Sequence, residues 1–261
     1  MAIQTRKQPG KLFVLFFLCF IMLSCPASRE KGDPGVKAEG TDTTDITGEW
    51  PRLVISSWAD MTEDRISRLL EENSVNAAGS YNRTPIMYAS WYSKKHTVIE
   101  TLIDAGADVN ASDDAGRTPL MCAASKNLNP MVTRVLLDNG ADKDALFQDG
   151  GTALMFAARY NKNPEVIRVL INAGAEIDAR NSTGWTALIL AAYDNTSPGV
   201  IKALIEAGAD LNARNNHGLT PLKAAGMYNR NPEILEALID AGARPDPWHD
   251  DGMEEFPETP V

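Results

Sequence analysis

The sequence has few residues of the types that hold metal ions or carry out catalysis. Its 261 residues include only three histidines and three cysteines. His217 and His249 have no cysteine or histidine at metal-ligand spacing, so we interpret them as solvated side chains. No glycine-rich phosphate loop, nucleophile elbow or HExxH motif occurs. These absences predict a protein that is not an enzyme, holds no metal and needs no cofactor.

Long apolar runs are also scarce, and the one that is present is too short to cross a membrane. It extends from Leu12 to Leu23 and follows Arg6, Lys7 and Lys11. A membrane-spanning helix needs about 20 apolar residues. A basic stretch followed by a short apolar run is typical of a secretory signal. We therefore predict that residues 1–24 are a signal peptide.

The segment Met22-Leu23-Ser24-Cys25 resembles the lipobox of bacterial lipoproteins, in which the signal is cut before a cysteine that then carries a lipid. The resemblance implies an exported protein that is anchored to an envelope membrane through acylated Cys25. Pro26 rather than aspartate follows this cysteine. By the same resemblance, this favours the outer membrane, on its periplasmic side or at the cell surface. The alternative is ordinary signal cleavage after Cys25-Pro26-Ala27, and the sequence leaves both open.

Acidic residues outnumber basic ones, and both ends of the chain have the composition of unfolded segments. The formal net charge is −10, and loss of residues 1–24 with their three basic residues makes it −13. This acidity argues against nucleic acids and anionic lipid surfaces as partners, so we expect membrane contact through the lipid anchor only. Residues 25–49 are rich in glycine, proline and acidic residues, and residues 253–261 are acidic with two prolines. We predict a flexible tether and a disordered tail for these two segments.

Most of the chain consists of one 34-residue unit in repeated copies. Each copy begins at a threonine, and the copies occupy residues 84–117, 118–151, 152–185, 186–219 and 220–252. Within most copies, Asn-Pro or Ser-Pro precedes a second apolar stretch that ends at glycine. Proline inside the start of a helix and glycine just past its end are typical boundaries. Each unit therefore predicts a short helix, a turn, a second helix and a polar hairpin, and adjacent units stabilise one another by stacking.

Residues 50–83 keep this pattern in degraded form. The apolar positions of their two predicted helices are Leu53, Val54, Ile55, Trp58, Ile66, Leu69 and Leu70. The glycine that ends the second helix in the other copies is absent. A terminal repeat exposes one face to water and differs from inner repeats for that reason. We therefore predict that residues 50–83 form an N-terminal capping repeat.

The copies resemble the ankyrin repeat. They open with TPI, TPL or TAL, four of them close the second helix with AGADVNA, NGADKDA, AGAEIDA or AGADLNA, and a glycine precedes each new threonine. The resemblance implies an all-α solenoid of helix pairs joined by hairpin-like loops. The family usually has histidine after Thr-Pro-Leu, where this chain has Met87, Met121, Met155, Ile189 and Lys223. We therefore expect no histidine network, and we expect the repeats to cohere mainly through apolar packing.

Proteins of the ankyrin family commonly bind partners on the concave side, which first helices and hairpin tips form. The resemblance then implies a protein-binding surface made of Trp91, Tyr92, Lys126, Leu146, Phe147, Arg159, Tyr160, Arg180, Tyr193, Arg214, Tyr228 and Trp248. Aromatic residues and arginine are frequent at the centres of protein interfaces. An exposed Leu146-Phe147 pair at a hairpin tip has no evident role in folding. The alternative for each aromatic residue is packing between repeats.

These patterns together predict a monomeric, non-catalytic scaffold that binds another protein in a bacterial envelope. The sequence does not identify the partner. Two other roles stay open, namely a protective or inhibitory partner of an envelope enzyme and a surface-exposed effector that faces a host.

Overall fold

The structure, a computed structural model, describes residues 58–244, and within this range it contains α-helices but no strands. The helices are α1 (Glu63–Glu72), α2 (Pro85–Tyr92), α3 (His96–Asp104), α4 (Pro119–Lys126), α5 (Pro130–Asp138), α6 (Ala153–Tyr160), α7 (Pro164–Asn172), α8 (Ala187–Asp194), α9 (Pro198–Glu206), α10 (Pro221–Tyr228) and α11 (Pro232–Asp240). A short 3-10 helix, Ser80–Asn82, lies between α1 and α2. The predicted all-α class is confirmed. None of the helices in residues 58–244 is both long and apolar enough to span a membrane.

The helices from α2 onward form pairs, and one pair lies within each of the five 34-residue units. The first helix of each pair has 8 residues and the second has 9. Helix α1 precedes the first pair and lies within residues 50–83. Most of the first helix predicted for residues 50–83 lies outside the described residues. The predicted signal peptide, Cys25, the tether, the tail and Trp248 lie outside them as well.

Polar side chains fix where the helices begin. Thr152 Oγ1 accepts a hydrogen bond from the Met155 N–H at 3.4 Å, and three of the other four first helices begin in the same way. Asn163 Oδ1 accepts from the Glu165 N–H at 3.0 Å, with Pro164 between them. These oxygens satisfy backbone N–H groups that have no partner within the first turn of a helix. The threonines and Asn-Pro pairs of the sequence are therefore helix starts.

The apolar core is continuous through the repeats. First helices pack against the first helices of neighbouring units, and second helices pack against second helices. Ala157 and Ala158 of α6 are fully buried, and their small side chains allow adjacent helices to approach closely. Ile167 and Leu170 of α7 are also fully buried. Because these residues pack against neighbouring units, one unit alone would leave much of its apolar surface in water.

A row of asparagines also joins consecutive units, and we did not expect it from the sequence. Asn161 is fully buried, and its Nδ2 donates to the carbonyl oxygens of Ala124 and Asn127 in the preceding unit, both at 2.9 Å. Its Oδ1 accepts from the Asn163 N–H at 2.9 Å. Carbonyls at the end of a helix lack a helical N–H partner, and this side chain supplies one. The asparagine row consists of Asn127, Asn161, Asn195 and Asn229, and all four make the same pair of contacts with the unit before.

The asparagine row adds a polar link to the apolar packing that we expected between the repeats. Apolar packing is present, but each of these units also donates two hydrogen bonds to the unit before it. The sequence signal was an asparagine repeated every 34 residues, directly after each first helix from the second unit onward. The polar link therefore lies at the end of the first helix, whereas the family's usual histidine lies near its start.

The hairpins of neighbouring units are linked through their backbones. The Ser182 N–H donates to the Asp149 carbonyl at 2.9 Å, and the Asn216 N–H donates to the Thr183 carbonyl at 3.1 Å. Gly184 lies at this junction with φ +77, a value that favours glycine. A Cβ atom added at Gly184 would lie 2.9 Å from the backbone nitrogen of Asn216. Glycine is therefore required there both by the backbone angle and by the approach of the next hairpin.

Candidate protein-binding surface

The predicted binding residues fall into three groups by burial. Lys126, Leu146, Arg180 and Arg214 are exposed, Tyr92, Arg159, Tyr160, Tyr193 and Tyr228 are partly buried, and Trp91 and Phe147 are buried. We call the nine exposed and partly buried residues the first-helix face. They lie at the ends of first helices and at hairpin tips.

Trp91 belongs to the packing between repeats. Its side chain is buried, and its Nε1 donates to Ser125 Oγ of the next unit at 3.0 Å. The guanidinium groups of Arg83 and Arg117 lie 5.2 Å and 4.9 Å from the centre of its ring. These contacts satisfy the one polar atom of the indole and cover its faces. The structure therefore favours the packing alternative for Trp91.

The Leu146-Phe147 pair is not exposed as a pair, and this corrects our expectation. Leu146 is 64% exposed, but Phe147 is only 5% exposed. The Phe147 ring packs edge-on against Phe156, with 5.4 Å between ring centres, and the Arg117 guanidinium lies 5.6 Å from it. This hairpin position is also buried in other units, where Asp113 and Asn215 are 6% and 5% exposed, whereas Leu146 stays in solvent.

The hairpins show why a phenylalanine is tolerated at this position. In the other hairpins the equivalent residues are Asp113, Asn181 and Asn215, and the Oδ1 of each accepts hydrogen bonds from two N–H groups of its own turn. In the hairpin of Phe147, Asp149 Oδ1 accepts from the Gly151 N–H at 2.9 Å. Asp149 therefore replaces one of the two hydrogen bonds that Asp113 or an asparagine accepts in the other hairpins.

A buried carboxylate lies between two arginines close to Trp91. The Asp113 side chain is 3% exposed, and its Oδ2 lies 3.5 Å from Arg83 Nε and 3.9 Å from an Arg117 guanidinium nitrogen. A buried charge is costly unless it is paired, and here two cations share one anion. Since the arginines also cover the Trp91 ring, the cluster fixes the hairpins against the first helices.

The tyrosines toward the C-terminal end of the described residues form a contiguous aromatic strip. The centre of the Tyr193 ring lies 4.8 Å from that of Tyr228 in the next unit and 5.3 Å from that of Trp185, which it meets edge-on. Burial, and next the proximity of Tyr228, raises the pKa of Tyr193 above its ordinary value. The hydroxyl is protonated at neutral pH, as an ordinary tyrosine is, and is able to donate a hydrogen bond. Both tyrosines keep part of their surface open to solvent.

Arg159 contacts both Tyr160 and Asp194 in the middle of the first-helix face. The Arg159 guanidinium lies 5.0 Å from the centre of the Tyr160 ring. Arg159 Nε donates to Asp194 Oδ2 of the next unit at 3.2 Å. The Tyr160 ring also packs at 6.4 Å from Phe156. Tyr160 is therefore held in place from two sides.

The hairpin tips add an open cleft to this surface. It has a volume of about 320 Å³, and Lys143, Asp144, Leu146, Glu176 and Arg180 contribute to its lining. The cleft is therefore lined by side chains of both charge signs next to the exposed Leu146. One guanidinium nitrogen of Arg180 donates to the Arg214 carbonyl at 2.6 Å, which ties the tip to the next hairpin. The cleft offers room for a side chain of a partner.

Groups that could perform chemistry are not gathered at this surface. Burial raises the pKa of the Cys122 thiol to about 12, so at neutral pH the group is an inert thiol. Within residues 58–244, no group of three or more histidine, cysteine, aspartate or glutamate residues could hold a metal ion. The surface presents aromatic rings and charged side chains at fixed spacing.

The fold and the surface together define a helical repeat protein with an extended contact face. The family model described as "Ankyrin repeats (3 copies)" matches residues 92–181 and 160–247, which together make up more than half of the chain. The chain belongs to the ankyrin repeat family. Ankyrin repeats are generally protein–protein interaction modules and typically non-catalytic scaffolds. A search of curated proteins found no match.

Proposed function

We propose that the protein binds another protein on its first-helix face by non-covalent contacts. The observation that carries the proposal is the set of tyrosines Tyr160, Tyr193 and Tyr228. Each is held by rings or by a cation and is still partly open to solvent. Rigid aromatic side chains give large contact areas and lose little conformational freedom on binding. The hydroxyl oxygen of Tyr160 is buried, so this residue presents its ring rather than its polar tip.

The solenoid supports this role because it fixes the binding residues before a partner arrives. The asparagine row and the hairpin hydrogen bonds set the spacing of the units, and the arginine–aspartate cluster holds the hairpins. Association is weakened by the cost of ordering side chains and loops. A face that is already ordered avoids much of that cost.

The charges of the face indicate the chemistry of the partner. Lys126, Arg180 and Arg214 are exposed beside the partly buried tyrosines. We expect a partner surface with apolar or aromatic side chains at its centre and carboxylates around them. Electrostatic complementarity of this kind raises the association rate and selects among partners.

We also propose that the protein is exported by a bacterium and anchored to an envelope membrane through acylated Cys25, with the outer membrane favoured. The support is the basic and apolar start of the chain, the lipobox-like Met22-Leu23-Ser24-Cys25 and the tether-like composition of residues 25–49. A long tether would leave the solenoid free to reach a partner near the membrane.

The binding proposal is tested by capture of the partner from the producing cell with tagged full-length protein. Tyr160→Ala and Tyr193→Ala together are expected to lower partner affinity at least tenfold, since aromatic residues at interface centres contribute most of the binding energy. The matched control is Ile239→Ala, which removes a side chain that is 54% exposed on α11. If the tyrosine variant is folded and recovers the partner as the wild type does, the first-helix face is not the binding surface.

The anchoring proposal is tested by growth with a labelled fatty acid. We expect label on the wild-type protein and none on Cys25→Ser. Labelling that persists in the variant, or absence of label in both, contradicts acylation at this cysteine. In the second case, the alternative of cleavage after Ala27 is checked by the mass of the mature N-terminus.

A further inference from the structure

One turn between paired helices exposes two apolar side chains that the fold does not require. Leu128 is 59% exposed and Met131 is 40% exposed, and both lie where α4 turns into α5. In the other units, the position of Leu128 is occupied by Lys94, Lys162, Thr196 and Arg230. The position of Met131 is occupied by Thr97, Glu165, Gly199 and Glu233. Four units therefore form the same turn without apolar residues there, so the turn itself does not require the pair in this unit.

Lysines surround this apolar pair. Residues 92–97, 126–131 and 160–165 form three successive turns, which contain the exposed Lys94, Lys95, Lys126 and Lys162 and a single acidic residue, Glu165. Glu63 of α1 adds a carboxylate beside the first turn, where it accepts a hydrogen bond from the Thr97 hydroxyl and attracts Lys95. Glu165 is paired with Arg168 at 2.8 Å. Lys94 is paired with Asp60 at 3.2 Å, but both side chains are more than 70% exposed, so this pair is weak.

The three turns lie side by side. Asn129 Nδ2 donates to the Lys94 carbonyl at 3.0 Å, and Asn163 Nδ2 donates to the Leu128 carbonyl at 2.7 Å. The lysines of the outer two turns therefore flank the apolar residues of the middle turn. We call Lys94, Lys95, Lys126, Leu128, Met131 and Lys162 the turn patch.

We propose that the turn patch binds an anionic lipid surface. Lysine side chains keep their charge at the level of lipid headgroups while their stems cover apolar surface, and a few apolar residues between them enter the interface. Charge complementarity is local, because the Debye length is about 8 Å at physiological ionic strength. The lysines of the patch therefore act on a nearby membrane although the whole chain has a net charge of −10.

The position of the turn patch favours a lipid surface over a protein. Its residues lie on the turns between paired helices, and a fluid lipid surface contacts such turns without a matching shape. The expectation that acidity excludes anionic lipids came from the net charge of the chain, and the structure separates this cationic patch from that net charge. The proposal does not depend on acylation of Cys25.

The charge of the patch is tested by vesicle binding of the full-length chain. The vesicles are phosphatidylcholine with 30% phosphatidylglycerol, and pure phosphatidylcholine serves as reference. Lys95→Gln with Lys162→Gln is expected to lower the anionic-to-neutral affinity ratio about 25-fold, since each lysine near such a surface contributes about fivefold. Arg134→Gln with Lys202→Gln removes two exposed cations from the middles of second helices and is expected to change the ratio less than twofold. The basic and apolar residues Arg6 to Leu23 are the same in every variant, so the conclusion rests on the difference between the patch variant and the control variant.

The apolar pair is tested with Leu128→Thr and Met131→Thr together, since threonine occurs at both positions in other units. We expect about tenfold weaker binding to the anionic vesicles and little change in the unfolding transition, because Leu128 is 59% exposed and Met131 is 40% exposed. The proposal is overturned if the lysine variant and the control variant lose the same factor in the anionic-to-neutral affinity ratio. It is also overturned if the wild-type protein shows no preference for anionic vesicles. Unchanged vesicle binding with loss of the captured protein partner in the threonine variant would assign the patch to a protein instead.

Discussion

Replacement of Asn161 by alanine tests whether the asparagine row holds the repeats together. The side chain is fully buried and makes three hydrogen bonds of 2.9 Å, two to carbonyls of the preceding unit and one from an N–H of its own turn. Alanine removes all three and leaves the carbonyls of Ala124 and Asn127 buried without this donor. We therefore expect a large loss of stability from one small change in the middle of the solenoid.

The magnitude follows from the burial of the groups left behind. A hydrogen bond contributes about 1 kcal/mol net, but each buried partner that loses its bond costs roughly 1–3 kcal/mol because water does not replace it. Two such carbonyls predict that Asn161→Ala lowers the free energy of unfolding by about 4 kcal/mol. Asn161→Ser is expected to be intermediate. Ser93 holds the equivalent position in the first unit, where its Oγ still accepts from the Lys95 N–H at 3.2 Å.

The assay is urea unfolding of the full-length chain, followed by circular dichroism. The matched control is Asn163→Ala, which also removes a contact with the preceding unit, to the Leu128 carbonyl at 2.7 Å, and a helix cap. That site is open to water, so we expect a loss of only about 1 kcal/mol. If Asn161→Ala costs no more than Asn163→Ala, the row does not provide cohesion, and apolar packing alone holds the units together.

Three further predictions concern single positions. Gly184→Ala is expected to lower the free energy of unfolding in urea more than Gly106→Ala does. Both glycines have positive φ, but an added Cβ atom would meet the next hairpin at Gly184 and nothing within 4 Å at Gly106. Phe147→Ala is expected to lower the free energy of unfolding by about 3–5 kcal/mol and Leu146→Ala by under about 0.5 kcal/mol, and similar losses would contradict the burial of the phenylalanine. Burial raises the pKa of Cys122 from 9.0 to about 12, so the unfolded chain ionises first and stability falls above pH 9. By pH 10 the wild type should have lost about 1.4 kcal/mol more than Cys122→Ala, and identical pH profiles would refute the shift.

The architecture was predictable because the repeat carries several independent local signals in one register. Threonine caps, Asn-Pro pairs and terminal glycines each mark a helix boundary, and the structure places helices α2 to α11 between those marks. The asparagine row was missed for a physical reason. Asparagine after a helix is usually a solvated end residue, and its burial becomes evident only when the preceding unit is placed against it.

The candidate site was less predictable, because exposure depends on neighbours that lie 34 residues away in the sequence. Phe147 looked like part of an exposed pair, but Phe156 of the next unit covers it. Trp91 looked like a ligand-facing residue, but Ser125 and two arginines enclose it. Periodicity gives the position of a side chain within its own unit and says little about the side chains that stack on it.

The asparagine row also explains why the residue that precedes each of its asparagines differs between units. Lys126 and Tyr160 occupy the same position in consecutive units, directly before Asn127 and Asn161. Both helices end alike, since the backbone N–H of Asn127 donates to the Ala123 carbonyl at 3.0 Å and that of Asn161 makes the equivalent bond at 2.9 Å. The link between units comes from the asparagine, so the preceding side chain is not needed for cohesion. An exchange of lysine for tyrosine at this position is therefore expected to alter the proposed binding surface and not the folding of the chain.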